Sequence, residues 1–355
     1  MTKTRFWPDS TQELLLGACL HRNASSAIAS WKTWKGRVDL DDLNYSSFQI
    51  MSLAYLRLIE LEIADPDLAR IKGLHRYCWT QSKIDFRGRQ EILKALEHEG
   101  IPTILLKGAA LGATVYPKPS ARSLNDTEIH VPPAAAARAV KVLEQSGWAF
   151  LRNVECDTAG EFAHPGCGEA RLHWRFLAAQ CQPGREEDWW GAARAFEYEQ
   201  TRISILCPAD QLLVACEQGM LQPPPRSPQW LVDCALLIRD AGVDWARLID
   251  QSRNLQLSLH VRETLTYLSG NFEDSIPREV IDELARVPAS LSNRIEYFLA
   301  GRPDARQHDL VHKFGAAACR YSKLKHGRLR QFRRDFLRLL KLLSRALQRR
   351  KEQTG

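Results

Sequence analysis

Residues 101–131, IPTILLKGAALGATVYPKPSARSLNDTEIHV, bring together the side chains of this chain best suited to chemistry. The apolar run Ile101–Leu106 follows Gly100 and reads as a short buried strand. It leads into Lys107-Gly108, a short helix and a loop, and then a second strand that carries Asp126 and Glu128 and ends at Val131. Residues two apart on a strand share a face, so these two carboxylates stand side by side, ~6–7 Å apart, with Thr127, Ile129 and Val131 directed into the core. Oxygen ligands at that spacing suit Mg²⁺ or Mn²⁺, ions that substrate phosphates also hold. Gly108 lets the backbone of the turn approach a phosphate closely, and the amides at the following helix start favour an anion. Alone, an acidic i,i+2 pair also suits a solvated strand face, and a strand-end lysine a solvated end. The combination is the more informative signal.

The surrounding elements must hold these groups in place. Residues 1–98 read as a helical segment: LLLGACL (14–20) is densely apolar, Phe48, Met51, Leu53, Tyr55, Leu56, Leu58 and Ile59 continue a helical pattern, and Pro66 allows a new helix to start. Residues 99–206 alternate strand and helix, as a small α/β or α+β unit does. In it, Pro132-Pro133 opens a helix, AAAARAVKVLEQS forms its body, and Gly147 closes it. Further strands are expected at 148–152 and 169–176. Residues 207–318 return to helix, starting at Pro208, interrupted by the proline-rich loop LQPPPRSPQ (221–229), and resuming with WLVDCALLI (230–238). Residues 301–309, with Gly301 and Pro303, read as a connection.

The motifs resemble those of a bacterial nucleotidyltransferase family in the polymerase-β-like superfamily. That family carries an LLKG-A-L element, an aromatic residue followed by Pro, an Arg, and a D-x-D strand. This chain has LLKGAAL (105–111), Tyr116-Pro117, Arg122 and Asp126-Thr127-Glu128. Gly147-Trp148 after the next helix, LHWR (172–175), CPADQLL (207–213) and WLVDCALLI (230–238) extend the likeness over about residues 10–250. The resemblance implies an α+β fold, with a small mixed-sheet core flanked by N-terminal and C-terminal helical segments. It implies an NTP substrate, with Mg²⁺ or Mn²⁺ as cofactor and transfer of a nucleoside monophosphate to an acceptor, which could be a small molecule, a protein or RNA. Asp126 and Glu128 would ligate metal, Gly108 and its neighbours would cradle phosphates, and Lys107 and Arg122 would offset phosphate charge. For Arg122 the structural alternative is an ion pair with Asp126.

Three positions depart from the family pattern. Glu128 stands where Asp is usual, and its extra methylene displaces the carboxylate by about 1 Å. Arg171 occupies the position of the superfamily's third acidic residue, just before the L-H-W element. Glu169, two residues back, shares its face and could replace the missing acid if the pleat shifts. His130, on the face of Asp126 and Glu128, replaces an apolar residue, and a solvated or ion-paired imidazole is expected. His173 shares the face of Arg171 and could approach the site, whereas Trp174 is expected to pack in the core. Arg171 could therefore pair with Asp126 or Glu128 in place of a metal ion. That would leave a catalytically impaired nucleotide-binding or scaffold protein of the same fold.

The 355 residues suggest two or three units, and 45% hydrophobic with 26% charged residues excludes wholesale disorder. No apolar stretch approaches the ~18 residues of a membrane span, and no secretory signal is evident at the start. The net charge of +7 is unevenly placed. Residues 319–355 hold 13 Lys/Arg and two Asp/Glu, a balance of +11, which leaves −4 for residues 1–318. This basic tail reads as an amphipathic helix over 323–351, with Leu329, Phe332, Phe336, Leu339, Leu340, Leu343 and Leu347 along one stripe. An anionic membrane surface, a partner protein (or the body itself), and nucleic-acid phosphates all suit such a helix. The nine cysteines include no CxxC pair and read as free thiols of a cytoplasmic protein, peripheral to a membrane if the tail binds one. His308 and His312 are spaced i,i+4 but lack a second ligand pair nearby.

Overall fold

The computed structural model describes residues 7–123, 127–154, 158–176, 186–198, 200–221, 227–272 and 274–300. Asp126, the connection at 301–309, the pair His308 and His312, and the basic tail lie outside the described residues.

Four helices precede the sheet: α1 (Ser10–Leu20), α2 (Ala24–Lys35), α3 (Tyr45–Glu60) and α4 (Leu68–His98). Asp9 caps α1, its carboxylate accepting from the amides of Thr11 and Gln12 while the Gln12 side chain returns to the Asp9 amide. The long helix α4 starts just beyond Pro66 and ends two residues before Gly100, whose φ of +63° reverses the chain into the first strand.

The strands are β1 (Ile104–Leu105), β2 (Thr127–His130), β3 (Ala149–Val154), β4 (Ala159–His164), β5 (Gly168–His173), β6 (Arg194–Tyr198) and β7 (Thr201–Ile205). They form one mixed sheet in the order β3-β4-β5-β2-β1-β7-β6. β2 runs antiparallel to β1 and parallel to β5, and β1 runs parallel to β7. Between the strands lie α5 (Lys107–Thr114), α6 (Ala136–Gln145) and α7 (Glu186–Ala192). The C-terminal helices are α8 (Pro208–Leu221), α9 (Gln229–Asp240), α10 (Trp245–Asn254), α11 (Ser258–Phe272), α12 (Arg278–Arg286) and α13 (Leu291–Ala300). The chain is thus α+β, with a mixed sheet between helical segments.

The sheet separates two apolar cores. One lies against α4 and α6, where Ile92, Leu93, Leu96, Val142 and Leu143 meet Ile129, Val131, Phe162 and Leu172. The other is built by the N- and C-terminal helices, with Trp31, Trp34, Met51, Leu212, Leu231 and Val261, and reaches the sheet at Ile104 and Leu106. β2 is therefore buried on both faces. The side of β2 that carries Glu128 and His130 is enclosed as well as the side that carries Ile129. Gly88 lets α4 close onto the β4–β5 hairpin, since a Cβ there would meet Cys167 at 2.7 Å. Gly219 does the same for α8 against α9, where a Cβ would lie 1.9 Å from the Trp230 ring.

The expected strands at 148–152 and 169–176 correspond to β3 and β5. β4, β6 and β7 were not anticipated, and the run 101–106 pairs as strand only at Ile104–Leu105.

Candidate active site

The site is organised by the turn from β1 into α5. The Leu106 amide donates to the Glu128 carbonyl at 3.0 Å, which ties the end of β1 to the middle of β2. Lys107 then adopts φ +51°, a left-handed conformation in a residue with a full side chain. Such a backbone costs about 1–2 kcal/mol and persists where its surroundings enforce it. The side chain of Lys107 returns towards β2, and its Nζ forms an ion pair with Oε2 of Glu128. Gly108 follows, buried in the first turn of α5.

Glu128 is itself buried, and His173 Nε2 lies 2.8 Å from the same Oε2 atom. Burial opposes ionisation of this carboxyl. The charge of Lys107 and the hydrogen bond to His173 outweigh it and hold the group well below the usual carboxylate range. His173 is almost fully enclosed on β5 and reaches Glu128 across the parallel β2–β5 pair.

Arg171 lies directly opposite Glu128 in the β2–β5 register, and Glu161 of β4 lies on its other side. Arg171 Nη2 contacts Glu161 Oε1 at 3.1 Å, and Arg152 Nε of β3 contacts Glu161 Oε2 at 2.6 Å. Register alone thus generates a row across four strands, Arg152, Glu161, Arg171 and Glu128, with alternating charge. Glu161 was not anticipated from sequence. Glu169 sits at the exposed start of β5, paired with Ala163 of β4.

Arg122 makes a two-point ion pair with Asp233 of α9, with Nε to Oδ1 and Nη2 to Oδ2 both at 2.8 Å. Tyr116 donates to Oδ1 of the same carboxylate at 2.6 Å. Among the described residues, Asp233 is therefore the acid that holds Arg122 in place. The Gln229 side chain adds a bond to the Ser123 carbonyl at 3.3 Å, so α9 fixes the segment that leads towards β2 at two points. Asp233 was hidden inside an apolar helical run, WLVDCALLI, where one acid among hydrophobic residues was the available signal.

His130 is fully buried, not solvated or ion-paired as expected. Its ring stacks on Phe176 at 3.7 Å and 4° between planes, with Trp190 tilted against it at 5.6 Å. Burial, reinforced by the nearby His173, pushes its pKa well below the ordinary histidine value, so the imidazole is neutral near pH 7. Trp174 is half-buried, with its ring edge near Gly160.

The contacts of Lys107 and His173 with Glu128 both fall on Oε2. A hard divalent ion would find in Oε1 a ligand of the right kind. Among the described residues no three His, Cys, Asp or Glu side chains cluster as a metal site, so any ion held by Glu128 needs donors beyond them. Among the described residues, too, no helix is long and apolar enough to cross a membrane.

Residues 49–273 match the family described as "Uncharacterised nucleotidyltransferase", and the chain belongs to that family. The match contains the whole sheet and every site residue described above. No curated protein matches the chain. Among solved structures, the lincosamide antibiotic adenylyltransferase LnuA with bound lincomycin is 16% identical, with a TM-score of 0.33 over 42% of this chain and 94% of that one. The antibiotic-resistance factor ANT(2'')-Ia is 12% identical, with a TM-score of 0.36 over 53% of this chain and 96% of its own. An antigenic nucleotidyltransferase-like protein from Paracoccidioides brasiliensis is 13% identical, with a TM-score of 0.35 over 60% and 95% of the two chains.

Proposed function

We propose that this protein transfers a nucleoside monophosphate from an NTP to an acceptor nucleophile. The acceptor's oxygen or nitrogen attacks the α-phosphorus, a new bond to phosphorus forms, the bridging P–O bond to the β-phosphate breaks, and pyrophosphate leaves with that electron pair. The observation that carries this reading is Glu128: a buried, ionised carboxylate on β2, held through one oxygen by Lys107 and His173 beside the β1–α5 turn. It lies within the segment that matches the nucleotidyltransferase family.

In this reading Asp126 and Glu128 hold the divalent cation, Mg²⁺ or Mn²⁺, which would polarise the α-phosphate and neutralise charge on the leaving group. His173 orients the Glu128 carboxylate. Lys107 and the Gly108 amide face the phosphates, and Arg171 supplies a further guanidinium beside Glu128. Arg122 positions the β2 approach through Asp233 rather than meeting the nucleotide. Glu169, at the exposed start of β5, is the remaining acid for the third position.

A second reading, nucleotide binding without transfer, is favoured by one observation. Arg171 stands opposite Glu128 in the strand register, at the place where a third carboxylate is expected from the resemblance. Purified protein incubated with each labelled NTP and Mg²⁺ or Mn²⁺ separates the two. Transfer that disappears in Asp126→Ala supports the enzyme, whereas tight NTP binding with no transfer to any acceptor supports the binder.

A further inference from the structure

Lys107 meets Glu128 in an unusual way. Its backbone is held in the left-handed region at the β1–α5 junction, a place where glycine would be unstrained. The ammonium it delivers is nearly enclosed and is bonded to the carboxylate assigned above to metal. Strain of this kind at a strand–helix junction marks a side chain whose direction matters. The buried Glu128 carboxylate requires a counter-charge whenever no metal is present, because an unpaired buried charge is strongly disfavoured. Lys107 supplies it from within the chain, on a flexible stem whose root adjoins Gly108 and the start of α5.

We propose that Lys107 is a resident counter-cation that exchanges partners: it holds Glu128 before nucleotide binds and moves to the triphosphate when the nucleotide brings a divalent ion to Glu128. This rests on the nucleotidyl-transfer reading above and adds an order of binding to it. A metal ion next to Glu128 would repel the ammonium, and the arriving phosphates offer it an anionic partner on the turn from which it extends. His173 remains on Oε2 throughout and keeps the carboxylate aimed. The consequence is that free metal binds poorly and metal with nucleotide binds well, which discourages metal occupancy without substrate.

The test is a Mn²⁺ titration of the full chain followed by electron paramagnetic resonance, with and without a non-hydrolysable NTP analogue. Wild type should bind Mn²⁺ weakly alone and more tightly with the analogue. Lys107→Met should bind Mn²⁺ alone on the order of tenfold more tightly, since one nearby positive charge is gone, and should bind the analogue about tenfold more weakly. Lys107→Arg, which keeps the charge, should retain weak binding of free Mn²⁺. Lys107→Gly suits the left-handed backbone and should repeat the Met result if Met perturbs folding. Unchanged Mn²⁺ affinity in both Lys107→Met and Lys107→Gly, with analogue binding to wild type intact, overturns this inference alone. Failure of wild type to bind the analogue at all overturns the proposed function together with it.

Discussion

Arg122 and Asp233, separated by 111 positions, meet in a bidentate ion pair that joins the chain segment before β2 to helix α9. Tyr116 completes the pair with its hydroxyl, and both charged side chains are largely enclosed. The C-terminal helices therefore help set where the acidic strand begins. Removing the carboxylate with Asp233→Ala strands a buried guanidinium and should cost about 3–5 kcal/mol. Replacing both partners, Arg122→Met with Asp233→Leu, should cost less than Asp233→Ala alone, because no uncompensated charge is left. Urea denaturation of the three proteins checks the order.

His130 sits between aromatic rings as a neutral imidazole. Its folded pKa is depressed, so below the unfolded value of about 6.5 the unfolded chain binds the extra proton and the folded chain does not. Stability should fall as pH drops through that region, by up to about 1.4 kcal/mol per pH unit from this residue. His130→Phe should keep the stack and remove this part of the slope. Denaturation between pH 7.5 and 5, with chelator present, should show wild-type stability falling more steeply than that of the variant as pH drops; parallel curves would contradict the assignment.

Arg171 is tied to Glu161, which also has Arg152, and all three side chains retain some exposure. Arg171→Ala should therefore change stability by less than about 1 kcal/mol. If its guanidinium meets phosphate, KM for the NTP should rise about tenfold with a smaller change in kcat. Steady-state kinetics beside thermal melts separate the two effects.

The basic tail poses a separate question. If its apolar stripe and cations bind an anionic membrane, truncation after Ala318 should abolish sedimentation with anionic liposomes while the sheet-containing body stays folded. Equal sedimentation of the full and truncated chains would eliminate the membrane reading.

Much of the frame was legible because local rules decide it. Pro132-Pro133 and Gly147 bracket the helix that became α6, with Gly147 at φ +87°. The i,i+2 rule placed Glu128 and His130 on one face, and the β2–β5 register put His173 and Arg171 beside them. What local pattern could not supply was partnership across the fold. Asp233 reads as one acid in an apolar helix until α9 packs beside Arg122. Glu161 lies on β4, a strand weakened in sequence by Gly160, although a Cβ at that glycine would meet Phe150 at 2.9 Å. The alternation of Thr201, Ile203 and Ile205 was a real signal for β7, and it was missed because the stretch is only five residues long. His130 was expected to be wet because the enclosure of its face comes from Phe176 and Trp190, residues 46 and 60 positions further on.

On the nucleotidyl-transfer reading, Glu128 holds the cation together with Asp126. The most direct test of that claim is release of labelled pyrophosphate from γ-labelled NTPs by the full chain, with Mn²⁺ or Mg²⁺ and a pool of small-molecule, protein and RNA acceptors, compared with Glu128→Gln. Wild type should release pyrophosphate in step with label transfer from the α-position, and Glu128→Gln should lose about a thousandfold of the rate, as expected when several kcal/mol of charge stabilisation disappear. Equal rates from the two proteins, or no release by a wild type that binds the nucleotide, would contradict the claim.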